Sequence, residues 1–244
     1  MKRSLYFTSI ICAIVLSIAL FSGCTSSASP TEQPAASTTP DSAQTEESSQ
    51  ATTPSPATEP ETTQSSGETL GDILGLASSI ESVKFDMVVT STEISSMTTE
   101  VWLKDPKMKM KTTSEEQTII TILDQEAQTM YTYMPDQNMA FMMTYDQAQA
   151  SPIDDTQNIN QYNPQNAGTE TIDGKVCMVV EYAVQDVSIT TWIWKEYGFP
   201  IKVVSVTAQG TTTIEYKDID FTNIPDSEFQ LPAGVQIMDL PSQS

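Results

Sequence analysis

The side chains able to do chemistry are 32 carboxylates, 11 basic groups and three thiols, and none of the 244 residues is a histidine. Without imidazole there is no Ser/His/Asp or Cys/His catalysis and no His-containing metal site. Cys177 sits inside the apolar run Val176-Cys177-Met178-Val179-Val180 with no base to activate it, and reads as a buried, inert thiol. Asp154-Asp155 and Asp218-Ile219-Asp220 offer oxygens of the type calcium takes, but lack the spacing and glycine of an EF-hand loop. They read as solvated acids. No glycine-rich phosphate loop occurs, and nothing brings two carboxylates to glycosidase separation, so an enzyme using carboxylates alone is the weakest reading. Neither a cofactor nor a metal is expected. Formal charge is −21, and Arg3 is the single arginine. A phosphate-neutralising face is therefore missing, and nucleic acid is not an expected partner.

Cys24 is the one thiol whose surroundings suggest a reaction. Lys2 and Arg3 precede an apolar run from Ile10 to Leu20, followed by the small residues Ser22 and Gly23. That order is a secretory signal, and the run is shorter than the ~20 residues that span a bilayer. Leu20-Phe21-Ser22-Gly23-Cys24 resembles the lipobox of bacterial and some archaeal lipoproteins, with Phe21 where that group usually has leucine. The resemblance implies that the signal, residues 1–23, is removed and Cys24 is acylated. Each buried methylene contributes about 0.8 kcal/mol, so two or three chains hold a protein stably at a membrane. The expected location is outside the cytoplasm, on the cell membrane or envelope. Loss of Cys12 and acylation of Cys24 leave Cys177 as the free thiol, with no disulfide framework.

Residues 24–67 form a lipidated cysteine and a spacer of Ser, Thr, Pro, Ala, Gln and Glu, which has no aromatic, lysine, leucine, isoleucine or valine to build a core. As a flexible coil it reaches on the order of 35 Å. Residues 68–244 carry a charge of −17 and the folding pattern. Leu70, Ile73, Leu74, Ala77 and Ile80 follow helical spacing and predict an amphipathic helix over 68–80. Beyond it the period is two. Strands are expected at 82–93, 97–104, 107–113, 117–124, 128–134 and 138–144, then at 169–172, 176–184, 187–194, 200–207 and 211–220. The polar stretch 147–166 reads as a loop or short helix on the rim, and 221–240 as irregular with one helical turn near Pro225. Asp173-Gly174 is a two-residue hairpin signal. Short connections make neighbouring strands antiparallel, and the whole predicts a mainly β (α+β) module: one large, curved antiparallel sheet packed on helical segments.

Lys107-Met108-Lys109-Met110-Lys111 alternates strictly, so one face of its strand is wet and the other dry. The following strands add Met130, Met134, Met139, Met142 and Met143. Thioethers adapt to irregular apolar shapes and suit a cavity for lipid or another apolar ligand, although the same stripe also serves a filled core. The candidate cavity lining is Met108, Met110, Ile120, Ile122, Met130, Met134, Met139, Phe141, Met143, Val180, Tyr182 and Trp194.

Two segments carry a family resemblance. Trp192-Ile193-Trp194-Lys195-Glu196-Tyr197-Gly198-Phe199-Pro200-Ile201-Lys202, and the earlier Trp102-Leu103-Lys104-Asp105-Pro106-Lys107-Met108-Lys109-Met110, resemble hairpins of the lipoprotein-carrier superfamily that includes LolA, LolB, LppX and LprG. The resemblance implies an open half-barrel sheet wrapped over helices, with an apolar cavity for acyl chains. The arginine with which soluble carriers contact ligand has no counterpart, since the module contains no arginine. The expected function is a membrane-anchored lipoprotein that binds or carries a lipid or other apolar molecule without catalysis. The alternative is a protein-interaction or envelope-sensing module on the same fold with a filled core.

Overall fold

Alternation of apolar and polar side chains organises the whole module. A computed structural model describes residues 67–92, 96–114, 117–145 and 150–240, so Cys24, the signal and most of the spacer lie outside the described residues. Helix α1 (Leu70–Leu76) continues as a 3-10 turn at Ala77–Ser79. Strands β1 (Val83–Ser91), β2 (Met97–Lys104), β3 (Lys107–Thr113), β4 (Thr118–Asp124), β5 (Thr129–Met134) and β6 (Met139–Thr144) follow as a meander. Helix α2 (Pro152–Gln157) and a 3-10 turn (Asn158–Tyr162) lead into a second meander, β7 (Gln165–Ile172), β8 (Lys175–Val184), β9 (Val187–Trp194), β10 (Phe199–Thr207) and β11 (Gly210–Asp220). A 3-10 turn (Asp226–Phe229) and β12 (Gln236–Asp239) complete the described elements.

Among the described residues all 12 strands belong to one open sheet in the order β12-β6-β5-β4-β3-β2-β1-β11-β10-β9-β8-β7. The meanders meet where β1 pairs antiparallel with β11, and β12 is parallel to β6. The expected strand boundaries hold to within a residue or two for ten strands. β7 begins four residues earlier than expected, because its exposed residues 165–168, which show no apolar alternation, owe their strand form to pairing with β8 through a bulge near Gly168. β12 replaces part of a stretch expected to be irregular. Its four exposed residues carry no burial pattern, and the edge of β6 defines them as a strand. At the β7–β8 turn Asp173 and Gly174 take φ of 48° and 76°, the left-handed pair that the hairpin signal demands.

One face of the sheet carries the core. Val83, Phe85, Met87 and Val89 of β1 alternate inward and meet Ile73 and Leu74 of α1, while Ile159 is buried in the same cluster. Phe85, Phe199 and Tyr216 form a triangle with ring centroids 5.4–5.8 Å apart, within the range of favourable aromatic contact. Gly198 lies where α1 crosses the β9–β10 turn. Its φ is 67°, and a Cβ there would overlap the Ile73 carbonyl oxygen, so the turn needs glycine on both counts. The 152–162 segment is a correction to the expected rim position: Thr156 and Ile159 are buried, and α2 packs on β10. Ser151 and Asp154 close a capping box at its start.

The opposite face is covered over β2–β5 by residues 224–231. Ile224, Phe229 and Leu231 cover Ile122, Ile120, Trp102 and Tyr131. Lys104 Nζ donates to the Ile224 carbonyl at 3.0 Å and to Asp226 at 2.7 Å, and Lys109 pairs with Glu228 at 2.9 Å. This strap then passes the edge of the sheet and becomes β12.

Candidate ligand-binding face

The register brings most of the expected lining residues together. Leu103 of β2 faces Met108, Met108 faces Leu123, Leu123 faces Met130, and Met130 faces Met143. These five side chains form an unbroken apolar row across β2–β6 on the side that also carries α1 and α2. The next row runs Val101, Met110, Thr121, Thr132, Phe141, and Met134 faces Met139 beyond it. Met108, Leu123 and Met134 are buried, whereas Met110, Met130, Met139, Phe141 and Met143 are half-buried. Met110 and Met130 pack against the main core; Met139, Phe141 and Met143, on β6, are not among the residues that do so. Val180 and Tyr182 share the same face in the second meander.

Ile120, Ile122 and Trp194 belong to the other face, and their place in the expected lining is corrected. Ile120 and Ile122 stand opposite Lys111 and Lys109 in the register. In Thr118-Ile119-Ile120-Thr121-Ile122-Leu123 both parities are apolar, so alternation alone gives no direction, and a one-residue choice moves every side chain to the opposite face. Trp194 alternates with the buried Ile193 and lies against Tyr197, with Lys175 Nζ 5.3 Å from its ring centre. Trp102 and Trp192 are outward too: Lys84 and Lys109 lie 4.8 and 4.6 Å from the Trp102 ring, and Lys202 5.0 Å from that of Trp192. Lysine stems thus cover indole faces on this side of the sheet.

The described residues enclose hollows on the helix-bearing side, two of which bear on the binding face. The first, about 50 Å³, is bounded by Met87, Tyr182, Thr191, Val203, Ile214 and Tyr216 of the sheet and by Pro152, Asp155, Thr156 and Ile159 of the α2 segment. It has room for a water molecule or two and none for an acyl chain. Those four α2-segment positions have the i, i+3, i+4, i+7 spacing of one helical face, which turns Asp155 inward. Asp155 is therefore not the solvated acid expected; burial first, and the charge of Asp154 second, push its carboxyl up to about 7. Burial also lifts the Tyr182 hydroxyl to about 12, opposed by its contact with Thr191 Oγ1 at 3.4 Å, and raises Tyr216. Cys177 is buried, its thiol is pushed up to about 11 by desolvation, and it remains protonated at neutral pH.

The second hollow, about 280 Å³, lies between the Ala77–Ser82 stretch, the start of α2 and the β2–β3 and β4–β5 turns. Val83, Leu103 and Ile153 contribute apolar walls, and Glu81, Asp105 and Asp154 contribute carboxylates. Of the twelve expected lining residues only Tyr182 borders either hollow. Sequence reasoning missed Leu103, for which inward alternation was the available signal, and the Ser151-x-x-Asp154 capping box that announces α2. Among the described residues no group of three or more Cys, Asp or Glu could hold a metal ion, and no helix is long and apolar enough to cross a membrane.

No protein-family model matches the sequence, and no curated protein matches it either. Solved structures do share its fold. An uncharacterised conserved protein from Thermus thermophilus is similar at a TM-score of 0.52 and 9% identity, over 69% of this chain and 98% of that one. LprF from Mycobacterium bovis is similar at a TM-score of 0.42 and 17% identity, covering 63% of this chain and 96% of LprF. The Mycobacterium tuberculosis lipoprotein LppX gives 0.41 and 14%, over 62% of this chain and 93% of LppX. Identity is at most 17% in all three, and the likeness is one of fold.

Proposed function

We propose that residues 68–244 form a binding module for a lipid or other amphipathic molecule, held outside the cytoplasm by an acylated Cys24 and a spacer over residues 24–67. The observation that carries this reading is the row Leu103, Met108, Leu123, Met130, Met143, apolar across five strands and half-uncovered toward β6. Burial of ligand chains on that row supplies affinity, and thioethers adjust to their shape without a chemical step. Met108, Met110, Met130, Met134, Met139, Phe141 and Met143 are the proposed contacts.

Native mass spectrometry with organic extraction, on the full chain carrying Cys24→Ser and expressed in its own type of host, tests the reading. A co-purifying lipid at near one-to-one occupancy is expected. A clean apo mass together with no uptake of a fluorescent fatty acid would transfer the assignment to a protein-interaction module with a filled core, the reading favoured by the small 50 Å³ cavity beneath α2. Metabolic labelling with an alkynyl fatty acid is expected to mark the wild type and not the Cys24→Ser chain.

A further inference from the structure

We propose that the outer edge of β12 is a docking site for an extended segment of a partner protein, which adds to the sheet as a further strand and presents a basic residue to Asp239. Strand addition there goes beyond lipid binding and does not depend on it. Among the described residues β12 and β7 are the two edges of the sheet. β7 is guarded against pairing: its residues up to Thr171 are polar or small, and a bulge near Gly168 breaks its register. β12 has neither protection. Its register with β6 is continuous, and Ile237, Met238 and the following Leu240 are 53, 49 and 39% exposed. Large apolar side chains gathered at one exposed edge mark a contact surface. Gln236 N donates to Asn138 O at 3.1 Å and Leu240 N to Met142 O at 2.8 Å. By the two-residue period, the N–H and C=O groups of Ile237 and Asp239 therefore point away from β6. An antiparallel partner strand bonds to both groups of each residue.

Backbone and charge together select the occupant. A bilayer surface would bury the same apolar side chains but leave those backbone groups and the Asp239 carboxylate without partners. A second copy paired about Met238 would set Ile237 against Asp239 and join two modules of the same strong negative charge. A basic segment meets neither objection. No lysine or arginine stands between Thr112 and Gly174 or after Lys217, and Asp136 and Asp239 enter no ion pair among the described residues. The lysines of β3 are held by Asp124, Glu228 and Glu100. In antiparallel order the partner reads apolar, basic, apolar, apolar opposite Leu240, Asp239, Met238 and Ile237.

The test uses the full Cys24→Ser chain and a rhodamine-labelled peptide, Thr-Lys-Val-Lys-Val-Val-Lys-Thr, read by fluorescence anisotropy, with folding of each variant followed by circular dichroism. Saturable binding is expected. N-methylation of the peptide's lysine and valine that stand opposite Asp239 and Ile237 leaves the protein untouched and should weaken binding at least about tenfold. Ile237→Pro removes one outward N–H, spares the bonds to β6 and should act in the same direction. Asp239→Lys should weaken the lysine peptide about fivefold or more and favour a peptide with glutamate in place of lysine. Glu181→Lys makes the same change in net charge at an exposed position of β8 and should leave affinity within about twofold. No binding, equal affinity for methylated and unmethylated peptides, or an equal loss with Glu181→Lys would overturn the assignment. A dimer in sedimentation equilibrium that Ile237→Pro abolishes would overturn it in favour of a second copy. Flotation with phosphatidylcholine vesicles that Ile237→Ser with Met238→Ser abolishes would overturn it in favour of a membrane surface.

Discussion

The two halves of the helix-bearing face are built from different materials. Around β1, β10 and β11 the face is aromatic and β-branched, with Phe85, Phe199 and Tyr216 in mutual ring contact and at most 8% exposed. Across β3–β6 it is thioether-rich, and five of the seven expected contacts there are only half-buried. Rigid rings with few rotamers fill a closed space under α1 and α2; flexible methionines cover the part of the sheet where helical cover falls away. The contrast locates stability in one half and adaptability in the other, on a single continuous sheet.

The largest test of that division is a pair of truncations. Phe199→Ala should cost about 3–5 kcal/mol of unfolding free energy, because a fully buried ring leaves a cavity within a packed cluster. Met143→Ala, on half-buried β6, should cost about 1 kcal/mol or less. Urea unfolding of both variants at unchanged m-value reads the difference, and equal losses would mean that the methionine half is core of the ordinary kind.

Asp155 sharpens the comparison from the closed side. Its carboxyl stands near 7 in the folded protein against an ordinary value of 3.8, so the fold favours the neutral acid. The native state then binds more protons than the unfolded chain between those values. The contribution is fully present below about pH 4 and is lost as pH rises toward 7. The facing groups are Tyr182 and Tyr216 from the sheet and Asp154 from the same helix, with no lysine lining the cavity. Asp155→Asn should leave stability unchanged near pH 4 and raise it at pH 8 by a few kcal/mol at most, since each tenfold change in proton affinity corresponds to about 1.4 kcal/mol. Thermal melts of both proteins across pH 4–8 give the difference curve, which removes the opposite trend of carboxylates such as Glu100, held low by Lys111. A flat difference curve would mean that Asp155 titrates as a solvated acid.

The smallest effect concerns the strap on the outer face. Lys109 and Glu228 are 2.9 Å apart with the glutamate 40% exposed, so a double-mutant cycle to alanine should return a coupling of about 0.2–1 kcal/mol. A coupling well above that range would show the strap to be held by charge more than by Ile224, Phe229 and Leu231.

Much of this architecture was legible in residue order because alternation is a local property. The Lys-Met repeat of β3 assigns its own faces, Asp173-Gly174 is a turn by backbone requirement alone, and β2, β3 and β9 begin and end where their patterns do. Legibility stopped where two answers satisfied the same local rule. β4 is apolar on both parities, so Ile120 and Ile122 could be placed only by the register with β3 and by the strap that buries their side of the sheet. β12 has no pattern of its own, and β6 supplies its hydrogen bonds. Asp155 stands next to an acid that caps its helix in the expected way, yet packing of α2 on β10 turns it into a cavity and changes its proton affinity.

From its residues alone the chain determined a strand-rich module with one wet and one dry face, the absence of imidazole chemistry, and an excess of carboxylates over lysines. Composition and period-two patterning specify these without reference to any partner. The tertiary structure decided that the dry row of β2–β6 begins at a hollow lined by acids, that the nine lysines of the described module are engaged by carboxylates or tryptophans, and that one aspartate lies beneath a helix. Each of these depends on which strands and helices come together, and the free energy of those contacts is shared between residues far apart in the chain.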